Sequence, residues 1–567
     1  MSMSTVETMS SRPALRFWGW GYDKENLSAE ENKLIETMVG VLAPDNTAEI
    51  PPLELADFNL PAPRREVPIE FRSFVSTFKY DRLVHSYGKS FGDIVRMFLR
   101  QIDNPPDWVA FPMSEEQISD IMKYAEDNNM AVIPFGGGTS VCGGVESDVG
   151  NHYTATISLD LQHFNQVIEV DHTSRAARVQ GGILGPDLET QVKAHGFTLR
   201  HFPQSFRFST LGGWIATRAG GHFASVYTHI DDFVESTRVL TPKGVMETRR
   251  LPGSGAGPSA DRMILGSEGI LGVITEAWVR LQSLPVWKAS ATVRFSDFTQ
   301  GVEAVRLISQ SGLFPSNCRL LDETEVQWNR LATDRCSLLV LGFESADHPV
   351  TEWMERALDI ARAKGGQHKE VVYSCTKDVG KKNQGSPSTA DSWRNAFIRM
   401  PYYRNRLVGF GIIADTFETA ITWDQFDTLY RGIKSGIEKA ILEITGRPGL
   451  VSCRFTHIYP DGPAPYFSFF AVGDNEGNLK NTLNSWCKIK DAANELIVGL
   501  GGTITHHHAV GRDHKSGYEQ QTSSLFRETL SAAKHNLDPK GILNPGVLVD
   551  PLGISIGLRG VLRDNQG

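Results

Sequence analysis

The stretch IPFGGGTSVCGG, Ile133 to Gly144, decides how this chain is read. The apolar run AVIPF ends at Phe135, and Gly136, Gly137 and Gly138 follow, then Thr139 and Ser140. An apolar run stopped by glycines reads as a strand entering a turn. Consecutive glycines permit positive φ and close backbone approach. Their N–H groups can converge on an anion, and the two hydroxyls add donors. A pyrophosphate is the natural occupant. No Gly-Lys-Ser/Thr follows, so this is not a Walker A loop, and it is not GxGxxG. Taken alone, three glycines also suit a plain turn.

Three further segments follow in order. PQSFRFSTLGGWIATRAGG (Pro203 to Gly221) is rich in small and hydroxyl residues suited to backbone packing along an extended ligand. ILGSEGILGVITEAWVRL (Ile264 to Leu281) places a Gly-Ser-Glu-Gly turn before a strand, and LDPKGILNPG (Leu537 to Gly546) closes the set. Jointly the four resemble the flavin loops of the vanillyl-alcohol-oxidase family. That resemblance implies an FAD site formed by Pro134, Phe135, Gly136, Gly137, Gly138, Thr139 and Ser140 in the first loop. The second segment would add Gln204, Ser205, Ser209, Thr210, Thr217, Arg218, Ala219 and Gly220. The third would add Gly266, Ser267, Glu268, Gly269, Ile270, Leu271 and Gly272. Some members of the fold tether flavin through a His in the first loop. GGGTS carries none, so non-covalent FAD is expected, with Cys142 as an alternative tether.

Outward from these loops, residues 66–285 alternate short strands with helices and glycine turns, with Ser114 opening one helix and Gly196 closing another. Residues 286–500 alternate strands (ASATVRF, CSLLVLGFE, PYFSFFAV) with amphipathic helices, which suits an antiparallel sheet covered by helices. Residues 1–65 read as an arm whose RFWGWGYD packs on a domain surface, and 501–567 as a closing segment carrying a histidine run. CTKDVGKKNQGSPSTADS reads as an exposed loop. The expected class is α+β: a two-lobed PCMH-type FAD-binding domain plus an α+β cap domain.

With 567 residues, the chain is too long for one core and fits two or three domains. The net charge is −9 and no Lys/Arg run stands out, so a nucleic-acid partner is not expected. Six scattered cysteines without a CxxC pair read as reduced thiols, mostly small buried side chains. No run of 18 apolar residues spans a membrane, and neither a secretory signal nor a peroxisomal ending is seen. A cytoplasmic location is expected. Peripheral membrane contact and a homodimer stay open.

Within the superfamily the chain resembles the alkyldihydroxyacetonephosphate synthase family from about Trp18 to Gly546. GWGY (Gly19 to Tyr22), CRLLDE (Cys318 to Glu323), DTFETAITW (Asp415 to Trp423), CRFTHIYPDG (Cys453 to Gly462) and THHHAVG (Thr505 to Gly511) carry it. The resemblance implies a catalytic set of Tyr466, His506, His507 and His508, with Arg404 for the substrate phosphate, Arg319 near the flavin, and His201 on the substrate side. It also implies that FAD acts as a covalent trap rather than a redox shuttle. A base takes a proton at C1 of 1-acyl-dihydroxyacetone phosphate, flavin N5 bonds to that carbon, the fatty acid leaves, and a long-chain alcohol attacks to form an ether. The partners would be lipid substrates.

The residue types suit that chemistry, since Arg presents forked donors to phosphate and His or a perturbed Tyr moves protons. The bland alternatives are surface salt bridges for both arginines and a core position for Tyr466. As a strand, the histidine run would turn two rings one way and one the other, so the three would not share a role. A metal cluster would need further ligands, and no metal is expected. The competing function is an FAD-dependent 2-hydroxyacid dehydrogenase or oxidase of the D-lactate or glycolate type. Those relatives carry a second His where Tyr466 stands and Glu-His where His-His stands. A non-catalytic flavin- or lipid-binding module is a third reading.

Overall fold

The computed structural model describes residues 7–44, 49–223, 225–376, 389–474, 476–554 and 556, without the side chains of 389–398. Most of CTKDVGKKNQGSPSTADS therefore lies outside the described residues. The expected α+β class holds, with three smaller sheets in the first half of the chain, one of them only the pair Phe197–Thr198 and Gln282–Ser283, and one large antiparallel sheet in the second.

The first sheet orders Val75–Ser76, Trp108–Ala110, Thr156–Asp160 and Ala131–Phe135, and its last three strands run parallel. All five residues of Thr156–Asp160 are buried, as expected of a parallel strand covered on both faces. The helix Glu115–Asn128 packs Ile118, Ile121, Met122 and Ala125 against this sheet, and Ser114 caps it by accepting the N–H of Gln117. The second sheet orders Val167–Asp171, Ala176–Gln180, Val273–Arg280, Val234–Thr241 and Gly244–Glu247. The helix Leu211–Thr217 lies against it, with Trp214 and Ile215 in the core.

The large sheet has seven strands: Gln367–Cys375, Trp287–Phe295, Ser337–Ser345, Asn317–Leu321, Leu450–Ile458, Pro463–Val472 and Ile412–Glu418. Side chains alternate between its faces. Ala291, Val293 and Phe295 share a core with Leu339, Leu341, Phe455 and Phe467, under the helices Phe298–Ser309, Thr351–Ala363, Phe426–Thr445 and Leu479–Gly499. The opposite face carries Ser290, Arg319, Arg454, Tyr466 and Glu418. Arg454 and Glu418 are both direct cross-strand partners of Tyr466. This is the face that meets the glycine loops.

The N-terminal arm is tied down firmly. Phe17, Trp18 and Trp20 are buried in the large core, and Trp20 N–H donates to Asn405 Oδ1 at 2.9 Å. Among the described residues no helix is long and apolar enough to cross a membrane.

Candidate active site

The loop Gly136–Ser140 leaves the end of the strand Ala131–Phe135 and faces the segment Gln204–Gly220 across a cavity of about 200 Å³. Both hold their shape through local hydrogen bonds. Thr210 caps the helix Leu211–Thr217 by accepting the N–H of Gly213 at 3.2 Å, and Ser140 Oγ accepts the N–H of Gly144 at 2.9 Å. A Cβ on Gly137 would sit 1.6 Å from Phe208 O, so only glycine lets the two segments close up. From behind, Arg12 of the arm donates to Gly136 O at 2.7 Å and Gly182 O at 2.8 Å.

The cleft continues into a second hollow lined by Pro134, Phe135, Glu268, Gly269 and Gly272, and both hollows are lined by Gly136, Ser140, Thr210, Gly213 and Thr217. An elongated groove with a glycine turn at its middle fits an extended dinucleotide whose pyrophosphate meets the turn. Gly137, Gly138, Thr139, Gln204, Ser205, Ser209, Ala219 and Gly220 also line it. The remaining expected cofactor residues do not. Arg218 turns outward to Asp231 at 2.8 Å, because a left-handed φ of 49° at the helix C-terminus reverses the chain there. Gly266 and Ser267 shape the turn, and Ile270 and Leu271 are core residues.

At the other end of the cavity stand Tyr466, Arg404, Arg319, His507 and His508. Arg404 pairs with Asp415 at 3.0 Å. Lys490 donates to Thr416 O at 2.8 Å and lies 3.8 Å from the same carboxylate, so two cations face one anion. Tyr466 donates to Thr416 Oγ1 at 2.9 Å, and the Arg454 guanidinium lies 4.2 Å from its ring centre. Burial raises the Tyr466 phenol above its ordinary value and pushes His508 down to about 3, so the first keeps its proton and the second its lone pair. Burial likewise lowers Arg319, to about 9, where it donates to His222 O at 2.9 Å.

The histidine run is not a strand. It is a tight bend in which Glu418 collects the backbone N–H groups of His506 (2.7 Å), His507 (3.1 Å) and His508 (3.0 Å), together with the Thr505 hydroxyl at 2.6 Å. Burial opposes the Glu418 charge, but the three imidazoles outweigh it and hold the carboxyl well below the ordinary range. His507 and His508 reach the cavity, whereas His506 sits behind them against Tyr459 and His229. His201 does not reach it either. It is fully buried between Trp214 and Phe233, with both ring nitrogens unpartnered, because Arg200 at φ 64° turns the chain into the core.

Two families match: the FAD binding domain over residues 106–249 and the C-terminal domain of FAD linked oxidases over residues 284–548. An alkyldihydroxyacetonephosphate synthase from Dictyostelium discoideum is 30% identical, over 97% of this chain and 90% of that one. The chain belongs to the alkyldihydroxyacetonephosphate synthase family. A solved alkyldihydroxyacetonephosphate synthase superposes with a TM-score of 0.76 at 26% identity, covering 94% of this chain and 98% of that one. The glycolate oxidase subunit GlcD of Bacillus subtilis is 27% identical over 82% of this chain and 92% of its own.

In this synthase-family chain the cavity is also lined by Trp20, Asp415, Thr416, Thr456, His457, Lys490 and His514, none of them among the expected site residues. Trp20, Asp415, Thr416, Thr456 and His457 lie in GWGY, DTFETAITW and CRFTHIYPDG, the motifs that carry the resemblance, so the signal was at hand. Lys490 sits on a helix with no motif around it.

Proposed function

We propose that this protein exchanges the acyl group of a 1-acyl-dihydroxyacetone phosphate for a long-chain alkoxy group, using non-covalently bound FAD. One observation carries the reading: the cationic cavity opens into an apolar one. The second cavity, about 570 Å³, is lined by Phe202, Phe206, Phe208, Phe223, Leu341 and Phe343, and Trp20, Pro203, Gln204 and Pro401 line both. A lipid with a phosphate head needs this pairing, whereas a small hydroxyacid has no use for the apolar half. The volume is typical of ligand pockets.

Arg404 and Lys490, partly offset by Asp415, leave net positive charge for a phosphate. Neutral His508 accepts the proton removed beside the carbonyl, and protonated Tyr466 returns one to a leaving or attacking oxygen. Glu418 fixes the bend that aims His507 and His508 inward. Trp20 and the phenylalanines of the second cavity exclude water from the reacting end. FAD, when bound, supplies the centre that carries the dihydroxyacetone carbon between loss of one group and gain of the other. Non-covalent binding is supported by Cys142, whose buried thiol donates to His508 O at 3.1 Å.

Anaerobic visible spectra separate this reading from hydroxyacid oxidation. Acyl-dihydroxyacetone phosphate should perturb the flavin bands, and D-2-hydroxyacids should leave them unbleached. Bleaching by a hydroxyacid would favour the redox reading.

A further inference from the structure

We propose that His457, His506 and His507 form a binding site for one divalent transition-metal ion of the zinc type, set into the wall of the active-site cavity. One ring nitrogen from each lies within 4.8 Å of the others. The hydrogen bonds around His457 and His506 turn one lone pair of each inward. His457 Nε2 lies 2.8 Å from Gly221 O and so carries the proton there. Its Nδ1 holds the lone pair, and that atom is buried without a partner.

His229 Nδ1 lies 2.9 Å from Arg218 O, so His229 Nε2 is an acceptor. His506 Nε2, 2.7 Å from Tyr459 Oη and 3.1 Å from that acceptor, donates outward. Its Nδ1 faces inward, 3.0 Å from His507 Nδ1. Two tetrahedral zinc ligands at about 2.0–2.1 Å from the ion stand about 3.3 Å apart, close to that spacing.

Metal-bound histidines usually give their second nitrogen to a carbonyl or another polar partner, which fixes ring and tautomer. His457 and His506 both follow that arrangement. His507 Nδ1 lies 3.3 Å from Glu418 Oε2 and hydrogen-bonds it, so a bound ion would displace that proton and keep the carboxylate as negative charge beside the cluster. An all-imidazole set favours zinc-type ions over magnesium or calcium. His457 and His507 line the cavity, so the open coordination position would face it and take a water or a substrate oxygen. The histidine run lacked this site on its own, and His457 from the large sheet completes it.

The test uses the full-length FAD-loaded protein. It is equilibrated with zinc, dialysed against metal-free buffer, and analysed for zinc and FAD per chain. Wild type should retain about one zinc, and His457→Gln and His506→Gln should each bind it at least about tenfold more weakly with FAD content unchanged. No retained zinc, or retention undiminished in both variants, overturns the site and leaves a hydrogen-bonded histidine network. Should a variant lose FAD, cobalt added to wild type decides. Intense visible bands outside the flavin envelope support the site, and only the weak bands of aqueous cobalt overturn it. No step depends on turnover, so this result stands apart from the proposed reaction.

Discussion

Glu418 Oε2 stands 3.3 Å from His507 Nδ1, and the same carboxylate holds the backbone of three successive histidines. A charge bound this way organises the histidine bend from behind the cavity wall. Glu418→Gln keeps the size but replaces one acceptor oxygen with a donor. Turnover should fall about tenfold or more, with FAD still bound, because the His507 and His508 rings lose their fixed aim. Glu418→Ala, which strips acceptors from several buried donors, should also destabilise the fold by about 3 kcal/mol or more. Equal activity in Glu418→Gln would show that the bend holds itself.

Tyr466 keeps its proton in the buried site, where it lines the cavity and donates to Thr416 Oγ1. Tyr466→Phe removes one oxygen and nothing else. Turnover should drop about a hundredfold or more while the flavin spectrum is unchanged. Steady-state kinetics with quantified FAD make the check, and full activity would remove the residue from the proton path.

Ser290 lines the apolar cavity on the face of the large sheet that meets the glycine loops. Ser290→Phe should shorten that space. The ratio of kcat/KM for short over long chains should rise about tenfold, since each lost methylene contact is worth about 0.8 kcal/mol. An unchanged ratio would mean that the chain runs elsewhere.

His201 is pushed down to about 3 by burial, against about 6.5 in an unfolded chain. As pH falls below the unfolded value, the unfolded state takes up a proton that the native state refuses, so stability falls with pH. From about pH 7.5 to about pH 5 this one group costs about 2 kcal/mol. Denaturant unfolding at the two pH values should show His201→Leu losing about 2 kcal/mol less than wild type. Identical losses would mean that His201 gains a partner or solvent on acidification.

The glycine loops were legible because their chemistry is local. Gly136, Thr210 and Gly213 carry turn and cap signals within a few residues, and the cleft follows from them. What the sequence hid was long-range. The histidine run looked like a strand because its shape comes from Glu418, which lies 88 positions from His506. His201 and Arg218 sit beside site residues in sequence yet point away, because Arg200 and Arg218 adopt left-handed backbone. Lys490 reaches the cavity only because its helix packs under the strand Ile412–Glu418. Nearness along the chain marks a segment, and backbone reversals decide which of its side chains face the ligand.

The central claim is acyl-for-alkoxy exchange on a phosphate-bearing ketone. It is tested most directly by incubating the holoenzyme with 1-acyl-dihydroxyacetone phosphate and an oxygen-labelled long-chain alcohol, then weighing the products by mass spectrometry. The account predicts an alkyl ether that carries the label and an unlabelled free fatty acid in equal amount. Acyl substrate recovered intact, or fatty acid released with no labelled ether, would contradict it.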